Sequence, residues 1–326
     1  MQQQLPWGLV TQFGYIGSHG VHLQLTDNPN QFASYTNFVD GIRPFQALSS
    51  TSQYEPSKGL GNISEIAHIG VSHYNALWTT VAKQLRKGLQ LNTSYTWSKS
   101  MDDNSYSSQG VTLQNSYNPA NNYGPSDFDV RSRFVFSGLY TLPFEKNAFL
   151  SGWQMSTITQ IQTGSPLSVV TNSALNGTVG TVRPDATGKV HTSMTFTPGG
   201  IVQYIPQSIC VTPTTGCTFS SDGNHFGNSS RNLVVGPGFE DVDFSLDKKT
   251  KIFERYTLDI KVDAFNILNH PNFGPPSNEF VVTQPTTPGG QITVTPGNFG
   301  QISTTRFPSA DVGSSRQLQL SGKFIF

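Results

Sequence analysis

The last fifteen residues, Val312 to Phe326, read VGSSRQLQLSGKFIF, and their two-residue period narrows the folds open to the chain more than any other feature. In an extended strand successive side chains point to opposite faces. Leu318, Leu320, Phe324 and Phe326 then share one side, and Gln317, Gln319, Ser321 and Lys323 the other. A soluble sandwich uses such a strand half-buried. Here the sequence ends on an aromatic residue, with no polar tail to guard the edge against pairing with other chains. In a membrane β-barrel, closure consumes that edge and the apolar side faces lipid. The stretch therefore reads as the closing strand and insertion signal of such a barrel, with an ordinary half-buried strand as the competing reading.

Composition fits strands better than helices. Charged residues make up 12% of the 326 residues, against roughly 25% in a typical soluble domain. Mean hydropathy is nevertheless only −0.30, and no stretch approaches the ~18 unbroken apolar residues of a membrane helix. The 20 basic and 20 acidic residues balance, so nothing suggests a nucleic-acid partner, which usually requires a basic face. Cys210 and Cys217 flank VTPTTG, a spacing that allows either a small disulfide loop outside the reducing cytoplasm or two unpaired thiols. Two cysteines with no matching histidine pair do not make a structural zinc site. The opening MQQQLPWG has neither the basic start nor the apolar core of a secretory signal, so the chain is expected to be a fragment of an exported protein.

Alternation recurs along the chain. Trp7 to Leu25 is rich in aromatic and β-branched residues and reads as one long strand after a turn at Pro6. Leu77, Thr79 and Val81 alternate with Trp78, Thr80 and Ala82; after Arg86-Lys87-Gly88, Leu89, Leu91, Tyr95 and Trp97 alternate with Gln90, Asn92, Ser94 and Thr96. In SDFDVRSRFVFSGLYTLPF, Phe134, Phe136 and Tyr140 share a face, while Asp127, Asp129, Arg131 and Arg133 share the other. Gly152 to Val170 follows. Val242, Phe244 and Leu246 then oppose Asp241, Asp243 and Asp247, and beyond a turn at Phe253-Glu254-Arg255, Leu258, Ile260, Val262 and Ala264 oppose Asp259, Lys261 and Asp263. This gives about eight long strands whose connections alternate between short and long, as between the periplasmic and outer sides of a membrane barrel. In soluble β proteins, structureless loops longer than about 15 residues are uncommon. An even strand number places both termini on the short-turn side.

The runs YNALWTTVAKQLRKGLQLNTSYTWSKSMDDNS, SDFDVRSRFVFSGLYTLPF with GWQMSTITQIQTGSPLSV, and RNLVVGPGFEDVDFSLDKKTKIFERYTLDIKVDAFNILNHPNFG, closing on a terminal Phe, carry a family likeness. In this order they resemble the C-terminal barrel of TonB-dependent receptor-like proteins of the Oar type. The resemblance implies an outer-membrane barrel gated by an N-terminal plug and energised through a TonB box, neither of which the sequence displays. Large transporters of this kind have about 22 strands around a plugged lumen, so about eight strands would form the C-terminal third.

Sites of chemistry are sparse. His19 and His22, three apart, and His68 and His73, five apart, each point to opposite faces of a straight strand, which disfavours metal ligation within either pair. Ser245 and Lys248 spell S-x-x-K, but that motif needs helical spacing and here falls in an alternating strand. Charges facing lipid near the midplane cost about 2–4 kcal/mol for each Arg or Lys. Asp127, Asp129, Arg131, Arg133, Asp241, Asp243, Asp259, Lys261 and Asp263 are therefore expected to face the lumen, either as a polar wall for a plug or solute or as cross-strand ion pairs. Trp78, Trp97, Tyr95, Tyr140 and Trp153 suit the lipid–water boundary, whereas Tyr106, Tyr117, Tyr123 and Tyr204 lie in loops where sugar stacking is the other option.

The expectation is an all-β, antiparallel transmembrane barrel segment spanning residues 1–326, without enzymatic activity, cofactor or metal, in the bacterial outer membrane. Its partners would be outer-membrane lipid and a missing N-terminal barrel and plug region. The resemblance adds the TonB complex and the barrel-assembly machinery. The rival is a secreted β-sandwich or adhesin that binds carbohydrate through its loops. A glycosidase would further need two carboxylates about 5–9.5 Å apart across a pocket.

Overall fold

The stretches that alternate in sequence pair with their neighbours in chain order, as an antiparallel meander requires. The computed structural model describes residues 1–31, 63–105, 113–144, 149–172, 182–214, 216–223, 225–252, 255–283, 290–306 and 315–326. Its main sheet has ten strands. Nine lie on one path: β1 (Gln2–Leu5), β2 (Leu9–Asp27), β3 (Glu65–Arg86), β4 (Leu89–Asp102), β5 (Ser132–Thr141), β6 (Trp153–Gln162), β7 (Phe239–Ile252), β8 (Tyr256–Phe265) and β9 (Gln317–Ile325). The tenth, Gly124–Pro125, hangs off the far end of β4. Apart from β1, every strand on the path has at least 9 residues, enough to cross a bilayer at a tilt. Arg86 and Leu89 pair across Lys87 and Gly88, both at positive φ (53° and 79°), which is the backbone of a type I′ hairpin.

Register carries the alternation across the sheet. One row runs Tyr140, Met155, Leu246, Val262, Leu320; its neighbour runs Leu139, Ser156, Ser245, Asp263, Gln319. Each of β5 to β9 thus contributes to one apolar and one polar face. The apolar face is bare: Leu320 is 74% exposed, Trp97 51% and Ile260 42%. Soluble proteins rarely leave so broad an apolar surface open. The buried apolar cluster lies elsewhere, with Val169, Ile205, Phe219 and Val234 from the connection after β6 and Phe280, Val282 and Phe299 from the one after β8. A β-sandwich needs a second sheet over the apolar face. Among the described residues there is none, and the sandwich reading fails on that point.

Short turns lie at one end of the strands and long connections at the other, as the alternation implied. Three details depart from the sequence reading. The first residues form β1, a hairpin arm folded back so that Gln2 pairs with Gln12, and the chain start therefore points away from the short-turn end. The sheet is also open: among the described residues no ladder joins β1 to β9, so closure into a barrel is not seen. Finally, Trp78 sits on the polar face rather than at the lipid boundary, because it pairs with Gly14, where a Cβ would come 2.4 Å from the indole. Tyr95, Trp97 and Tyr140 keep the apolar face, and Trp153 holds Lys248 Nζ 5.3 Å from its ring on that side. Phe253, Glu254, Tyr106 and most of the first long loop (32–62) lie outside the described residues.

The register makes a direct prediction. Arginine at Leu258, Ile260 or Leu320 should cost about 2–4 kcal/mol near the midplane and block membrane insertion, whereas arginine at Thr257 or Gln319 should be tolerated. The fraction of folded protein recovered with the membrane measures this, and equal tolerance on both faces would contradict the assignment.

Candidate functional site

The polar face holds the first candidate. On its β2–β5 side an uncharged depression of about 350 Å³ is lined by Gln12, Thr80, Ala82, Asn92, Ser94 and Ser137, together with Val10 and Val135. Charge gathers on β7 to β9, where Asp241, Asp243, Asp247 and Lys249 face Asp259, Lys261, Asp263 and Lys323. Lys261 Nζ lies 2.7 Å from Asp263, and Lys249 Nζ lies 3.6 Å from Asp247 and 4.0 Å from Asp259. Ser245 Oγ donates to Asp263, and the Asn266 backbone N–H donates to Asp243 at 3.0 Å. One oxygen of Asp241 and one of Asp247 have no hydrogen-bond partner among the described residues. The wall therefore carries ion pairs, one between strands (Lys249 with Asp259) and two within a strand, and still has acceptors to spare. Ser245 lies on this face and Lys248 on the apolar one, where Lys248 donates to the Ser151 carbonyl, so the S-x-x-K pair is split.

The row read from Asp127 to Arg133 is divided. Only Arg133 stands in a strand, on the polar face opposite Thr96. Asp127, Asp129 and Arg131 precede β5, because the chain turns at Ser126 to Asp129 and their side chains are needed elsewhere. Asp129 accepts the Ser100 N–H at 2.7 Å and pairs with Arg131 at 3.1 Å.

Their surroundings form the second candidate, a loop cap at the long-connection end. Arg231, with 5% of its side chain exposed, is its centre. Its guanidinium pairs with the Asp102 carboxylate, donates to the Asp102 carbonyl at 2.7 Å, to Asp127 at 3.0 Å and to the Asn122 carbonyl at 3.0 Å. Arg183, also buried, donates to the Ser229 carbonyl at 3.0 Å and to Asn122 Oδ1 and the Asn121 carbonyl, each at 2.9 Å. Burial and the neighbouring Arg231 lower its pKa to about 10. Burial likewise raises the Asp103 carboxyl. Sequence reasoning missed this clamp, although Asp102, Asp103, Arg231 and Asn232 stand inside the runs that carried the family likeness. Cys210 and Cys217 are joined as a disulfide in the same cap.

Tyr117 donates its phenol to the Gln31 carbonyl, Tyr204 to the Val235 carbonyl, and Tyr123 bonds His73, so the described loop tyrosines are tied into the loops by their hydroxyls. No cluster of three or more His, Cys, Asp or Glu able to hold a metal occurs among the described residues. His225 bridges two carboxylates, Asp185 at 2.6 Å and Asp222 at 2.8 Å. Burial opposes its protonation, but the two carboxylates prevail and raise its pKa.

Two outcomes follow. Arg231→Met should destabilise the cap by about 3–5 kcal/mol through stranded Asp102 and Asp127, read as new protease cleavage within residues 113–131. A raised histidine contributes stability that is complete below its ordinary value near 6.5 and lost as pH rises through the folded value. Amide protection at Ala186 and Asn228 should therefore fall as pH is raised above that range, and His225→Gln should remove the dependence. Protection independent of pH in the unaltered protein would contradict the bridge.

The family model described as an outer membrane beta barrel domain matches residues 1–319. Among solved structures, the outer membrane transporter YddB from Escherichia coli is similar at 11% identity and a TM-score of 0.42, covering 99% of this chain and 31% of that one. No curated protein matches the chain. A one-sided sheet of membrane-length strands and a family match over nearly all its residues agree: the chain belongs to the outer membrane β-barrel domain family, whose place is the bacterial outer membrane.

Proposed function

We propose that this chain supplies part of the wall and the outer loops of a TonB-dependent, Oar-type transporter that takes up or binds a solute at the cell surface. The observation that carries the reading is the polar face: ion-paired rows on β7 to β9 that retain unpartnered carboxylate oxygens on Asp241 and Asp247. Opposite an apolar face meant for lipid, such rows suit the lumen of a barrel filled by a plug or crossed by solute. The open edges at β1 and β9 support the rest, since a strand edge in hydrocarbon needs a partner and further strands would provide it. In this reading an upstream segment brings the remaining barrel and the plug, the barrel-assembly machinery takes up the strand that ends at Phe326, and the TonB complex supplies the energy. The chain itself performs no catalysis and needs no cofactor.

The full-length gene product, with its upstream region, tests the proposal. It should insert as a heat-modifiable outer-membrane protein whose solute-dependent phenotype disappears when TonB is deleted. Removing the plug should open a conductance that prefers cations, because five carboxylates (Asp241, Asp243, Asp247, Asp259 and Asp263) share the wall with four lysines (Lys249, Lys251, Lys261 and Lys323), and Asp241 and Asp243 stand opposite Gln160 and Ile158 rather than a lysine. Asp241→Asn with Asp243→Asn should weaken that preference. An upstream region without a plug, or anion selectivity, would overturn the reading.

A further inference from the structure

The fold joins histidines that the spacing in sequence kept apart. His19 of β2 and His73 of β3 are direct cross-strand partners, and Met101 of β4 is the next residue in the same row. The imidazoles stack with centroids 4.1 Å apart and planes 17° from parallel. His19 is exposed, and His73 and Met101 are half-buried. The row lies on the outer face, two rows beyond Tyr15, Leu77 and Trp97 towards the long connections. Four residues of strand are about 13 Å, and exposed Lys99 stands in the row between. The three side chains therefore meet water above the hydrocarbon, not lipid.

From this juxtaposition we infer that His19, His73 and Met101 form a copper-binding site at the outer rim of the sheet. Two imidazoles and a thioether are ligands that copper accepts in both oxidation states, since the soft sulfur favours Cu(I) and imidazole binds Cu(II) more tightly than other divalent first-row ions. Metal–nitrogen bonds of about 2 Å put two ligating nitrogens roughly 3 Å apart, so rotation of the exposed His19 ring about χ2, with His73 held in place, brings the two to one ion. Tyr123 supplies the orientation. Its hydroxyl oxygen lies 3.0 Å from His73 Nδ1, and by accepting an Nδ1–H hydrogen bond it leaves the Nε2 lone pair for the metal. The site is separate from the lumen wall, and solute uptake is not needed to observe it.

Copper titration of the full chain in detergent micelles at neutral pH decides the matter, using Cu(II) with electron paramagnetic resonance and Cu(I) in competition with a chromophoric chelator. The expected result is one tight equivalent, with hyperfine structure from two imidazole nitrogens in the unaltered protein. His19→Gln and His73→Gln should each weaken binding by at least about tenfold, and Tyr123→Phe by about tenfold. Met101→Leu, close in shape, should weaken Cu(I) by about tenfold while leaving Zn(II) unchanged. A spectrum without imidazole nitrogen, undiminished affinity in the His19→Gln/His73→Gln double variant, or unchanged Cu(I) affinity in Met101→Leu would each overturn the assignment. The spectrum of the unaltered protein stands even if a variant misfolds.

Discussion

A single sheet with one oily and one wet side has to find a different solvent for each, and the rest of this structure follows from that requirement. Within the sheet the ladders satisfy the backbone groups, so the side chains alone decide which medium each face accepts. From β5 to β9 the apolar rows lie in phase, and a slip of one residue in the ladder between β8 and β9 would carry Asp263 and Lys261 to the side of Leu320. The ion pairs of the polar side are the counterpart of that register. They hold charge where water and protein reach it, and they leave the outer side free for hydrocarbon.

The long connections solve a different problem. They bury an apolar cluster of their own around Phe219, Phe280 and Phe299, and attach it to the sheet through charge rather than oil. Arg231 reaches the end of β4 at Asp102, and Arg183 ties the same cap to Asn121 and Asn122. Buried guanidinium groups of this kind are costly unless each donor is satisfied, and here backbone carbonyls and side-chain oxygens share them equally. The cap is thereby fixed at the end of the strands where the long connections lie.

Much of this was legible in the sequence because period two is a local signal. Leu318 with Leu320, Leu258 with Ile260, and the Lys87-Gly88 turn announce strand, face and hairpin without tertiary information. The same logic failed where the chain leaves its strand. Asp127 and Asp129 continue the alternation of β5 on paper, yet Ser126 to Asp129 is a turn and their carboxylates belong to the cap. Trp78 looked like a boundary residue by type, but its parity places it over Gly14 on the wet side. Non-local pairings were beyond reach of spacing: His19 with His73 and Arg231 with Asp102 come from distant segments, and only the register and the folded loops join them.

The account rests on hydrocarbon solvating the apolar face. Spin labels placed one at a time at Leu318, Gln319, Leu320, Ile260 and Lys261 in protein reconstituted into bilayers would measure this directly, through relaxation by lipid-soluble oxygen against a water-soluble nickel chelate. The account predicts oxygen access at Leu318, Leu320 and Ile260 and a reversal at Gln319 and Lys261. Water-soluble access at all five positions, with no two-residue alternation, would contradict it.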